Sequence, residues 1–179
     1  MLPIDALLRP ARALALCMLT AGLAGCASEA VPTGQPSFYR SMAAAQVELD
    51  AATAASMISG YRKNNGLGPV TLDPQLMQMA DAQARAMADR GKLDHNASAP
   101  LTERVRGSGF DAKIAVENIG AGYHTLAEAF SGWRDSPQHR ANMLQRGVTK
   151  MGIAAVYAPN SKYKVFWSLV LAAPDDRRG

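Results

Sequence analysis

Met151-Gly152-Ile153-Ala154-Ala155-Val156-Tyr157 and Tyr163-Lys164-Val165-Phe166-Trp167-Ser168-Leu169-Val170-Leu171 are two runs rich in Val, Ile and aromatic residues, and Pro159-Asn160-Ser161 interrupts them. Such a pair predicts a β-hairpin with a loop of several residues. Along the second run Tyr163, Val165, Trp167, Leu169 and Leu171 share one face, while Phe166 and Val170 occupy the other. A strand apolar on both faces is covered on both, as a central strand of a layered sheet is.

Toward the N-terminus the apolar period becomes helical. Thr125-Leu126-Ala127-Glu128 opens a helix with a capping box, Phe130 and Trp133 give it an inward face, and Ser136-Pro137 ends it. Pro100 to Ser108 reads as a short helix with Leu101 and Val105 inward, closed by Gly109. Asp73 as N-cap, Pro74 at the first helical position and Gly91 past the end bracket a third, whose Leu76, Met79, Ala80, Ala84 and Met87 form the core stripe. An Ala-rich stretch from about Ser41 to Asn64 predicts the first helix, stopped by Asn65-Gly66. Helices first and antiparallel strands last predict an α+β domain with helices packed on a sheet.

The first 25 residues have the pattern of an export signal: Arg9 and Arg12, then an uncharged, mostly apolar run from Ala13 to Leu23. That run is too short to cross a bilayer, which takes about 20 apolar residues. Leu23-Ala24-Gly25-Cys26 resembles the lipobox of bacterial lipoproteins and makes Cys26 the acylated first residue of the mature chain. Ala27 and Ser28 follow it, without the Asp that resembles an inner-membrane retention signal, so an outer-membrane protein facing periplasm or cell surface is expected.

The expected organisation is a lipoprotein signal peptide (1–25), a lipidated tether (26–40) marked by Pro32, Gly34 and Pro36, a globular domain (41–174) and a polar tail (175–179). Loss of the signal removes Cys17 and leaves Cys26 as the sole cysteine, so no disulfide supports the domain. The mature chain, about 150 residues, is long enough to be held by its core. Its formal charge falls from +4 to +3 once Arg9, Arg12 and Asp5 are gone. Basic residues scattered among acids give no stripe for nucleic acid.

Four stretches carry a resemblance: Leu93-Asp94-His95-Asn96; Val116-Glu117-Asn118-Ile119; Gly132-Trp133-Arg134-Asp135-Ser136-Pro137-Gln138-His139-Arg140-Ala141-Asn142-Met143-Leu144; and Met151-Gly152-Ile153 with the terminal strand. In this order and spacing, over about residues 50 to 172, the chain resembles the bacterial branch of the CAP (SCP) family. The resemblance implies a three-layer α–β–α sandwich and a surface cleft where His and Glu side chains converge, sometimes around a divalent metal. His95, Glu117 and His139 match those positions. His95 and His139, with Glu117 nearby, would form a zinc-type ligand set, or the carboxylate would act as a proton acceptor. The chain departs from the family at Ser136, where animal members have a second glutamate, at Gln138, where bacterial members usually have glycine, and at Ser168, in place of a glutamine.

His124, before the Thr125 cap, reads as a solvent-facing loop residue, and Asn142 as a backbone-bonding one. No G-x-S-x-G elbow occurs, which argues against a serine hydrolase. The expected function is a membrane-anchored extracytoplasmic module binding a lipid-like ligand or an envelope partner in the His/Glu cleft. The alternative is a metal-dependent hydrolase using the same cleft.

Overall fold

The computed structural model describes residues 34–175, so the export signal, Cys26 and the tail beyond 175 lie outside the described residues. The hairpin forms as expected from β3 (Lys150–Ala158) and β4 (Lys164–Pro174), in antiparallel register with Ile153 opposite Leu169. Two strands were not foreseen. β1 (Thr71–Leu72) runs parallel to the start of β3, and β2 (Ala112–Ala121) pairs antiparallel with β4. The order β1-β3-β4-β2 makes β4 an inner strand and β2 an edge.

The two faces of β4 are covered by different helices, giving the α–β–α layering that the resemblance implies. Val165, Trp167, Leu169 and Leu171 face α1 (Ala51–Asn64), α4 (Leu126–Asp135) and α5 (Pro137–Met143). Val170 and Ala172 face α2 (Pro74–Arg90) and α3 (Leu101–Ser108), with Leu76, Met79, Ala80 and Ala84 of α2 buried against them. Trp133 of α4 and Trp167 of β4 meet edge-on at 6.4 Å. Their indoles donate to Ile119 O (3.1 Å) and Tyr123 O (2.8 Å), so these buried rings leave no donor orphaned.

The first helix departs from expectation. It begins at Ala51, not near Ser41, because Asp50 caps it. The Asp50 carboxylate accepts from the Thr53 hydroxyl (2.7 Å), the Thr53 backbone N–H (2.9 Å) and the Ser37 hydroxyl (2.7 Å). These bonds, the Thr53 hydroxyl foremost, hold its pKa down to about 2. Upstream, Gln46 adopts φ 65°, and Met42 is buried with its N–H on His124 O. Tertiary contacts override the alanine propensity of 43–45. The folded part also reaches back to a 3₁₀ turn at Ser37–Tyr39, inside the stretch read as tether.

α1 is tied to the segment after α5 by Arg62, which is buried and bonds to backbone carbonyls. Its guanidinium donates to the carbonyls of Gly68 (2.9 Å), Met143 (2.8 Å), Gln145 (3.0 Å) and Val148 (3.0 Å). Burial pushes its pKa down. α2 is seated on β3 with equal tightness: a Cβ on Gly152 would overlap the Leu76 carbonyl.

Candidate functional site

The site forms where β2, as an edge strand, meets α3 on one face and α5 on the other. Glu117 lies opposite Val170 and Asn118 opposite Leu169, so the pleat sends their side chains to opposite faces. Both are buried. Glu117 points to the α2/α3 side. Its Oε1 accepts from Arg104 Nη1 of α3 (2.8 Å) and from the Ser168 hydroxyl (3.3 Å), and its Oε2 meets His95 Nδ1 at 2.9 Å.

Asn118 points to the α5 side, where its Nδ2 donates to His139 O (2.9 Å). Asn142, one turn further along α5, donates from Nδ2 to Asn118 Oδ1 and to Glu117 O, both at 2.9 Å. The second bond satisfies a carbonyl on the outer edge of the strand. Thus Asn142 does bond backbone as expected, and that bond docks α5 and its His139 on the strand carrying Glu117.

His95 arrives on a loop held from beneath. Gln83 of α2, fully buried, donates from Nε2 to Asp94 O (2.8 Å) and His95 O (3.0 Å), and its Oε1 accepts from the Ser98 hydroxyl (2.7 Å) and N–H (3.2 Å). Asp94 Oδ1 accepts from Asn96 N–H and tightens the loop tip. The His95 side chain remains 52% exposed. Burial, with a smaller push from the nearby His95 ring, holds the pKa of His139 below the ordinary imidazole value. His95 and Glu117, 22 residues apart in the chain, are thus brought into contact, and His139 on α5 lies within electrostatic reach of the His95 ring.

Sequence reasoning missed Arg104 and Gln83. Each had a signal: Arg104 follows Leu101 by three and precedes Val105, and Gln83 stands within the Leu76–Met87 stripe. A polar residue on the apolar face of a helix is buried and must find partners. His124 is exposed, as read. Ser136 ends α4 and precedes α5 without a side-chain cap bond, and so adds no carboxylate-like group.

The donor set does not fit a three-ligand zinc centre. Both oxygens of Glu117 are taken by Arg104, Ser168 and His95, which leaves two imidazoles where a catalytic zinc site uses three protein ligands. No group of three or more His, Cys, Asp or Glu side chains placed to hold a metal ion occurs among the described residues. A separate cavity of about 680 Å³ opens between α3 and the start of β2, lined by Leu101, Val105, Phe110 and Ala112 with Arg106 and Lys113. His95, Arg104, Glu117 and His139 do not line it.

Residues 55–171 match the model of the CAP, cysteine-rich secretory protein family. The chain belongs to the CAP family. Its CAP domain is 28% identical over 133 residues to the uncharacterized protein YkwD of Bacillus subtilis strain 168, covering 73% of this chain and 51% of that protein. The chain thus spans about half the length of this curated relative. An extracellular protein containing a SCP domain from Bacillus anthracis superposes with TM-score 0.60 at 22% identity, over 68% of this chain and 39% of the other. An outer surface protein from Borrelia burgdorferi gives TM-score 0.64 at 16% identity, over 70% of this chain and 93% of the other. At these identities the two structures establish the fold alone.

Proposed function

We propose that this chain is an extracytoplasmic CAP module, lipid-anchored through Cys26, that holds a lipid-like amphipathic ligand or an envelope partner in the cleft between His95 and His139. The observation that carries a binding role is the internal commitment of Glu117. A general base needs a lone pair within reach of the substrate proton, whereas this carboxylate is 2% exposed, accepts from Arg104 and Ser168 and is in contact with His95 Nδ1. The cleft therefore offers a ligand two imidazoles rather than a carboxylate. The metal-dependent hydrolase stands second, since its third ligand is engaged elsewhere.

Extracytoplasmic placement is supported by the sequence of residues 1–26 and by relatives described as extracellular or outer-surface proteins. The mild positive charge suits anionic envelope surfaces. Mass spectrometry of gently purified protein tests the reading. A defined amphipathic species should accompany the wild type and be lost from a His95→Ala, His139→Ala double variant that keeps its thermal stability. An equal amount on both proteins, or none on the wild type, contradicts it.

A further inference from the structure

The buried contact between Arg104 and Glu117 decides the hydrogen-bonding character of His95. The Arg104 and Glu117 side chains are 6% and 2% exposed, and Nη1 meets Oε1 at 2.8 Å. A guanidinium keeps its proton in proteins, so the carboxylate beside it is its counter-charge, and a carboxylate accepts hydrogen bonds without donating. The 2.9 Å contact from Glu117 Oε2 to His95 Nδ1 then requires the hydrogen on Nδ1. In the neutral ring this leaves the lone pair on Nε2. The same guanidinium donates from Nε to Ala99 O (2.9 Å) and from Nη2 to His95 O (3.2 Å). One side chain thus ties the loop carrying His95 to the strand carrying Glu117.

The geometry points to Arg104 as the positioning residue of the cleft: through Glu117 it sets His95 in the Nδ1–H form, so that His95 Nε2 is a hydrogen-bond acceptor for the ligand. The group placed against His95 is then an O–H or N–H donor. This rests on the binding reading for its purpose but not for its geometry. Ser168 supports the arrangement, since its hydroxyl donates to the same Oε1 as Arg104.

Histidine side-chain ¹⁵N correlation spectra of the full-length chain, recorded where the rings are neutral, test it without any ligand. His95 should show hydrogen on Nδ1 in the wild type. In Glu117→Gln, Arg104 keeps the amide oxygen and turns the amide NH₂ toward His95, so the ring should invert to the Nε2–H form. The tautomer ratio should change by about tenfold or more, the scale of one hydrogen bond to a charged group. Adding Arg104→Gln frees the amide to flip and should return a mixture. His139 signals, unchanged, report that each variant is folded. A wild-type His95 with hydrogen on Nε2 overturns the inference, and so does a folded Glu117→Gln that keeps Nδ1–H. If Glu117→Gln does not fold, the wild-type spectrum alone decides. Absence of a copurifying ligand would sink the binding role and leave this result standing.

Discussion

His139 gives the domain a pH dependence that can be assigned to a single residue. Burial first, then the His95 ring, places its folded-state pKa below the ordinary 6.5. As pH falls from 6.5 toward that lower value, the unfolded chain takes up a proton that the folded chain does not, and stability declines. Above 6.5 the contribution is present in full. Thermal midpoints measured from neutral into mildly acidic buffer should therefore fall, and the fall should be shallower in His139→Gln. Parallel slopes for wild type and variant would show that the partial burial of His139 does not depress its pKa. Residues of this kind were only partly legible in the sequence. His95, Glu117 and His139 came from the family pattern, but their number and spacing say nothing of hydrogen bonds, so Glu117 read equally as ligand or base. The choice is made by Arg104, a residue 13 positions upstream whose partner only the tertiary fold supplies.

Among the elements, α2 lies tightly against β3 at Gly152. Substitution by Ala would push a methyl group into the Leu76 backbone carbonyl, which cannot rotate aside. Overpacking of a tight core costs about 1–3 kcal/mol, and contact with backbone places Gly152→Ala at the upper end. Urea denaturation should show the loss as a lower midpoint, and an unchanged midpoint would contradict the packing of α2 on the sheet. The hairpin and the caps of α2 and α4 were readable because local chemistry specified them: Asp73, Pro74, Thr125 and Glu128 act within one turn. β2 was not. Its alternation is broken by Glu117 and Asn118, buried polar residues satisfied by side chains from α3, α5, β4 and the His95 loop. β1, two exposed residues, carries no burial pattern at all. The stretch before Asp50 misled for the opposite reason, since a strong local propensity there yields to contacts with Ser37 and His124.

For the whole molecule, the central question is where the CAP domain works and what its cleft receives. The anchoring part is tested by Cys26→Ala, which should shift the protein from the membrane to the soluble fraction or leave it unprocessed. Continued membrane attachment after removal of residues 1–25 would end the lipoprotein reading. The described residues contain no helix long and apolar enough to cross a membrane. The binding part has two competing locations, the proposed cleft at His95 and His139 and the mixed apolar and charged cavity between α3 and β2, and they share no residue. Titration of the ¹⁵N-labelled full-length chain with a short-chain phosphatidylglycerol, followed by amide and histidine side-chain shifts, tells them apart. Saturable changes centred on His95, Asn118, His139 and Asn142 are the predicted result; changes confined to Val105, Phe110 and Ala112, or none beyond those of detergent alone, would contradict it.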